Sequence, residues 1–215
     1  GSPGVQMGGW TNREIRHVAD LQGLRMRMPG LGGAMLRRLG AEIVSLPAGE
    51  IVAALKAGAL DAAEWIGPWN DLALGLHEVA RHYYWPGVHE PASELEITVG
   101  KRQLMALPGD LRAIVEACAR AEEATLTAEF NARNGAALTT LIRRHGVQLK
   151  QMPDEVLVAM GTAAGQVIAE LRDGGDAATR RVARSFLAAR AELKGWTTVG
   201  EYAFTRARGL SYRYA

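Results

Sequence analysis

The chain has 215 residues, 48% of them hydrophobic and 22% charged, with 25 Lys+Arg against 23 Asp+Glu and one cysteine. That is enough chain for one large domain or two small lobes around a sizeable core, which excludes a disordered protein, while the lone Cys118 excludes an internal disulfide or a multi-cysteine zinc site. The formal net charge of +2 is spread through mixed-sign segments and gives no basic footprint for nucleic acid, and no apolar run is long enough to span a bilayer.

The chain opens on Gly1-Ser2-Pro3-Gly4 with neither a basic start nor an apolar core, so no targeting peptide is expected in it. Thr11-Asn12-Arg13-Glu14 has the spacing of a capping box and predicts a helix over 12–21, stopped by Gly23. Leu24 to Met28 alternates with period two and predicts a strand ended by Pro29-Gly30. A short helix through Met35, Leu36 and Leu39, a strand over 42–46, a helix over 49–56 and a strand over 61–66 follow. Strand and helix alternating at this spacing predict right-handed crossovers and a parallel sheet. A helix over 69–80, the aromatic segment Tyr83-Tyr84-Trp85, and a strand over 95–99 come next. From Pro108 onward the pattern is helical to His145, with a possible break at Gly135, then a strand over 147–149 and amphipathic helices near 153–173, 176–194 and 197–208.

Ligands of parallel sheets sit beyond the carboxyl ends of the strands, which singles out Arg27 and the pair Glu64-Trp65. Arg27 offers a carboxylate two parallel N–H bonds; the competing reading is a solvated strand arginine. Glu64 is a carboxylate among apolar neighbours and needs a cation, for which Arg27 is one candidate. Glu90 and His89 lie in a loop and on their own read as surface residues; the three aromatics before them read as packing more readily than as a ligand cage. Gly30-Leu31-Gly32-Gly33 superficially suggests a phosphate loop but has neither a following Lys-Ser/Thr nor a dinucleotide glycine spacing. There is no nucleophile elbow and no His pair at helical metal-ligand spacing.

Several strings resemble a known family. Val5-Gln6-Met7-Gly8-Gly9-Trp10, Gly23 to Arg27, the run from Ala53 to Glu64-Trp65-Ile66-Gly67-Pro68, Tyr83-Tyr84-Trp85-Pro86-Gly87 and Leu104 to Pro108 are similar to the solute-binding subunits of tripartite ATP-independent periplasmic (TRAP) transporters, in the branch that binds 2-oxo acids and related monocarboxylates. The resemblance runs from about Val5 to Gly209, with Glu-Trp-Ile-Gly-Pro and its distance to Glu90 as the most specific part. It implies an α/β, two-lobed fold of the periplasmic-binding-protein type, here lacking an N-terminal portion, with parallel βα units and a long-helix C-terminal half. Residues 1–65 would form a βαβαβ part of the second lobe, 66–96 an excursion into an incomplete first lobe, and 97–215 the returning strand and helical scaffold.

By the same resemblance Arg27 pairs with the substrate carboxylate. Gln6, Glu64, Trp65 through its carbonyl, and Glu90 hold a sodium or calcium ion that itself contacts the substrate, so that Gln6, Glu64 and Trp65 border the ligand too. Oxygen donors suit such a hard cation, and the cation accounts for two carboxylates facing an anion. Trp65 and the aromatic segment would wall the pocket. The implied partners are a small carboxylate, the membrane subunits of the transporter in the periplasm and a second copy of the chain, because a lobe short of strands exposes edges and apolar faces. Two other functions are weighed against this: an enzyme using Glu64 and Glu90 as acid and base, and a sensory or structural module that has lost its ligand.

Overall fold

The computed structural model describes residues 1–90 and 92–213. Its first strand, β1 (Gly9–Thr11), is one that periodicity could not show, since three residues are too few to alternate. The helix expected over 12–21 shrinks to a single 3-10 turn, Val18–Leu21. Thr11 cannot cap a helix because its backbone belongs to the sheet. Its hydroxyl accepts from Arg13 N (3.0 Å) and donates to Arg13 O (2.8 Å), and the Asp20 carboxylate takes the N–H groups of Arg16 and His17 instead.

The alternation that follows is as expected. The order is β2 (Arg25–Arg27), α1 (Gly30–Arg38), β3 (Glu42–Val44), α2 (Ala48–Lys56) and β4 (Ala62–Ala63), with β2 parallel to both β3 and β4. Next come α3 (Pro68–Leu74), a 3-10 turn at Leu76–Glu78, and β5 (His82–Trp85), so the aromatic segment is a strand. After α4 (Lys101–Ala106), α5 runs unbroken through Gly135 from Gly109 to His145 and is followed by β6 (Gln148–Gln151). The C-terminal part is α6 (Asp154–Gly174), α7 (Ala177–Thr197), a π-helical turn Thr198–Tyr202 and α8 (Ala203–Arg208).

The strand expected over 95–99 does not form. Its alternation leaves Leu95, Ile97 and Val99 exposed, and its one main-chain pairing is between Leu95 and Gly1, at 2.7 and 2.9 Å. A strand needs a neighbour, and among the described residues none lies alongside.

The six strands form one sheet in the order β3-β2-β4-β1-β5-β6. β1 is antiparallel to both its neighbours, whereas β5 and β6 are parallel, so five strands run one way and the buried β1 runs against them. The expected parallel sheet therefore carries one reversed strand. The carboxyl ends of β2, β4 and β5 and the amino end of β1 consequently lie along a single edge. The excursion assigned to 66–96 includes β5, which occupies an interior position of this sheet.

Side chains alternate between two cores. Met26, Ala62 and Tyr84 point to one, packed with Met35 and Leu36 of α1 and Val156 and Met160 of α6. Trp10, Ala63 and Tyr83 point to the other, with Ile51 and Leu55 of α2, Leu76 and Leu141 of α5. Covering on both faces is what a mostly parallel sheet requires. The chain divides into two compact units, Gly1–Ala164, which holds this sheet, and the helical Gly165–Ala215. In the second unit Asp176 caps α7 by accepting from Thr179 N at 2.7 Å, and Phe186, Leu193 and Trp196 stand exposed.

The glycine run at 30–33 is explained by packing rather than by phosphate. A Cβ on Gly33 would lie 2.5 Å from the Met28 carbonyl oxygen and 2.9 Å from Ile43 Cγ2. Gly33→Ala should therefore lower stability by about 1–3 kcal/mol. Gly161→Ala, inside α6 with nothing within 4 Å of its Cβ position, should raise it by about 0.5–1 kcal/mol. Urea denaturation of both variants checks this, and effects of the same sign would refute the packing account.

Candidate functional site

Arg27 ends β2 and Glu64 directly follows β4, with Arg27 in register with Ala63 and Glu64 N donating to Arg27 O at 3.2 Å. Their side chains meet: Arg27 Nη1 donates to Glu64 Oε1 at 2.5 Å and to the Glu64 carbonyl at 3.1 Å. Glu64 is buried, at 3% side-chain exposure, and Arg27 is largely covered, at 12%. The guanidinium is held further by Leu46 O, 3.4 Å from Nε, and by the Trp65 ring, whose centroid is 5.3 Å away. Its Nη2 is without a protein partner among the described residues. Of the readings open for Arg27, the solvated one is thus replaced by a largely covered, oriented guanidinium with one N–H₂ group unused.

His89 closes the other side of Glu64, with Nε2 3.3 Å from Oε2 and 2% side-chain exposure. Because a carboxylate only accepts, Nε2 carries the proton of that bond. The imidazole packs against α1, its Cβ 3.2 Å from where a Cβ of Gly32 would stand. The loop histidine that reads as solvated from sequence is therefore buried and paired.

Gln6 and Glu90 meet through a residue that no sequence pattern singles out. Gln6 Nε2 donates to Ser93 Oγ at 2.8 Å, and Ser93 Oγ donates to Glu90 Oε1 in a short hydrogen bond. The Gln6–Gly8 segment is threaded between two others: Met7 N bonds Ile66 O (3.1 Å), Gly8 N bonds Tyr84 O (2.8 Å), and Gly87 N bonds Gln6 O (3.1 Å). A Cβ on Gly87 would sit 2.7 Å from the carbonyl oxygens of Gln6 and Met7, so only glycine permits this approach.

All the site residues expected from sequence thus lie along the one sheet edge, Gln6 before the reversed β1, Arg27, Glu64 and Trp65 after β2 and β4, and Glu90 after β5. The aromatic wall is a correction. Tyr83 stacks on Trp10 (4.0 Å between ring centroids) in one core and Tyr84 sits in the other, its hydroxyl 2.7 Å from Ile15 N. Trp85 is exposed, and Trp65 alone of the expected aromatics stands beside Arg27.

The donors present fit a hard cation. Gln6 Oε1 and Glu90 Oε2 have no protein donor among the described residues, nor does the Trp65 carbonyl, and the Glu64 carboxylate completes an all-oxygen set. No group of three or more His, Cys, Asp and Glu with metal-binding geometry occurs among the described residues.

The sequence profile of DctP, the bacterial extracellular solute-binding protein family 7, matches residues 2–173. The chain belongs to this family. This DctP-family chain is 39% identical over 204 residues to a monocarboxylate 2-oxoacid-binding periplasmic protein of Nostoc, covering 95% of the chain and 56% of the relative. It is similar to a TRAP periplasmic solute-binding protein of Colwellia psychrerythraea solved with calcium and pyruvate (34% identity, TM-score 0.88, 96% of this chain and 63% of that one). It is also similar to one of Pseudoalteromonas atlantica with sodium and pyruvate (32%, TM-score 0.88, 98% and 63%). A third, of Bordetella bronchiseptica, is a mixed-occupancy dimer with copurified calcium and picolinate in one site (36%, TM-score 0.86, 97% and 61%). The chain spans less than two thirds of the length of each.

Asp71, on α3, is the other residue that sequence reasoning missed; its only outward signal is a carboxylate three positions after a helix-starting Pro68. It is 1% exposed and fixes the strand-to-helix turn after Glu64-Trp65. Oδ1 accepts from Ile66 N (3.1 Å) and Gly67 N (3.0 Å), and Oδ2 from Trp10 Nε1 (2.8 Å) and Tyr83 OH (2.7 Å). Burial pushes this carboxyl up to about 6, against the lowering by its hydrogen bonds to Tyr83 and Trp10. Its unfolded value is near 3.8, so the folded protein holds an extra proton between roughly pH 4 and 6. The contribution of Asp71 to stability is therefore fullest at the acid end and is lost as pH rises through about 6. The stability gap between wild type and Asp71→Asn should shrink by about 2–3 kcal/mol from pH 4 to pH 7. Urea denaturation at both pH values measures it, and a constant gap refutes the assignment; carboxylates held low, such as Glu14 beside Arg16 and Asp61 beside Arg25, act equally in both proteins.

Proposed function

We propose that this chain is the ligand-holding part of an extracytoplasmic TRAP receptor, which captures a small 2-oxo acid such as pyruvate together with a sodium or calcium ion. The observation that supports the reading is the placement along one sheet edge of Arg27, its Nη2 without a protein partner among the described residues, and of the oxygen-bearing groups of Gln6, Glu64, Trp65 and Glu90. Arg27 is pre-oriented by Glu64, Leu46 and Trp65, so little side-chain freedom is lost when a carboxylate docks on it. Glu64 keeps the guanidinium in place and, with Gln6, Glu90 and the Trp65 carbonyl, would hold the cation. That ion supplies a positive counter-charge to the substrate's oxygens. The Trp65 face shields the pair from water on one side.

The names of the relatives support the ligand class, the cation and a periplasmic site of action, with membrane subunits of the transporter as the partner that receives the ligand. In this reading the other lobe covers the exposed stretch where the 66–96 excursion passes into the segment from 97 onward, through Leu95, Ile97 and Val99. An acid–base role for Glu64 and Glu90 has less to stand on: Glu64 is committed to Arg27 and His89, and the family is one of binding proteins.

Titration of the chain with pyruvate in calcium or sodium, followed by tryptophan fluorescence, should show saturable, cation-dependent change that Arg27→Ala abolishes. Arg27→Lys should weaken it by more than about tenfold, since a point charge cannot keep both the Glu64 bonds and the ligand. Unchanged affinity in Arg27→Ala would overturn the assignment. The same titration on the chain joined to the portion of the Nostoc relative that it does not cover tells whether that portion is needed for closure.

We further propose a homodimer through α7. Val182, Phe186, Ala189, Leu193 and Trp196 recur at alternating four- and three-residue steps, the spacing of a coiled-coil seam, and the four large ones are exposed. The dimeric Bordetella structure supports a dimer as such. Sedimentation should give a dimer for the wild type and a monomer for Phe186→Asp/Leu193→Asp; a wild-type monomer at all concentrations would refute it.

A further inference from the structure

We infer that Ser93 is a positioning residue for the cation, fixing which atoms of Gln6 and Glu90 face it. The inference rests on the binding-protein reading above and deepens it. A serine hydroxyl has one proton to give and two lone pairs. Glu90 Oε1, an acceptor only, takes the proton of Ser93. Ser93 Oγ can then only accept from Gln6, which requires the amide nitrogen of Gln6 to face it, at 2.8 Å. The amide oxygen is thereby turned the other way. Without the hydroxyl nothing here would choose between the two orientations of the Gln6 amide, and one of them presents an N–H₂ group to a cation.

The same proton fixes Glu90. With Oε1 occupied by Ser93, Oε2 is the oxygen left without a protein donor among the described residues, and the carboxylate is held from rotating in a loop that has no regular structure. One hydroxyl therefore orients two donors that come from two neighbouring strands far apart in sequence, Gln6 ahead of β1 and Glu90 beyond β5. Gln6 is itself buried, so its amide cannot turn freely into solvent. Among the described residues Ser93 makes no hydrogen bond to Arg27 or Glu64, which separates its role from that of the anion-binding pair.

The test is calcium binding to this chain in the absence of any carboxylate, since every donor named lies within it, measured by calorimetry for wild type, Ser93→Ala and Ser93→Thr. Ser93→Ala should raise the calcium Kd by about 10–100-fold with an unchanged melting temperature in the metal-free protein, and Ser93→Thr, which keeps the hydroxyl, should restore most of the affinity. Combined with Gln6→Ala the loss should be less than additive, because both changes remove the same oriented oxygen. Unchanged calcium affinity in Ser93→Ala, with wild type binding, overturns the Ser93 inference alone. Failure of Thr to restore binding does so too, since it would show that shape rather than the hydroxyl is needed. Absence of calcium and sodium binding in the wild type overturns the reading on which it rests.

Discussion

The site depends on a single reversed strand. Five strands of the sheet run in one direction and would by themselves bring only their carboxyl ends to the ligand edge; β1 runs against them and contributes its amino end. Gln6 reaches the edge for that reason alone. The reversal is held on both sides, by the pairing of Trp10 with Ala63 and Tyr83 and by the threading of Gln6–Gly8 between Ile66 and Tyr84 to Gly87. β1 is buried along its whole length, so every one of its backbone groups must find a partner inside the protein, and both neighbouring strands are needed to supply them.

Asp71 ties this arrangement together. Its carboxylate bonds β1 through Trp10, β5 through Tyr83, and the turn after β4 through Ile66 and Gly67. A buried carboxylate is costly to desolvate, and four donors offset much of that cost. What they secure is geometry: the turn that carries the Trp65 carbonyl cannot shift independently of the two strands on which Gln6 and Glu90 depend. The Trp10–Tyr83 stack shields the bonds from water, which keeps them strong.

The legible part of the fold was the part with a period. The βαβαβ run from Arg25 to Ala63 alternates strand and helix over lengths that period-two and helical patterns can report, and the C-terminal helices are long enough to show amphipathic faces. β1 and β5 were not legible, because the three buried residues Gly9-Trp10-Thr11 and the adjacent buried pair Tyr83-Tyr84 in β5 have no polar alternation to display. Thr11-Glu14 has the local spacing of a helix cap, but tertiary pairing of Thr11 in the sheet overrode it. Leu95 to Val99 erred the other way, a good strand pattern with no neighbour beside it. The candidate site was legible in Arg27 and Glu64, which lie at strand ends. The placing of Gln6 and Glu90 came from the family resemblance alone, and Ser93, His89 and Asp71 were hidden because nothing in a serine, a loop histidine or a helix-turn aspartate marks it as partnered across the chain.

Charge explains why anion and cation belong to one site. The edge carries one guanidinium and two carboxylates, a net negative charge that repels a carboxylate ligand, and Arg27 is already neutralised by Glu64 at 2.5 Å. In the proposed site a cation held by Gln6, Glu64, the Trp65 carbonyl and Glu90 would reverse this: it would draw on the Glu64 carboxylate, and so loosen the claim of Glu64 on Arg27 while adding positive charge of its own. With a divalent ion and a monocarboxylate the site is neutral, and with a monovalent one it retains a single negative charge. In the proposed site each ligand would then improve the affinity of the other by the same factor, as linkage requires. The coupling would be larger for calcium than for sodium on charge alone. It would pass through Glu64, whose carboxylate bonds Arg27 and belongs to the proposed donor set as well.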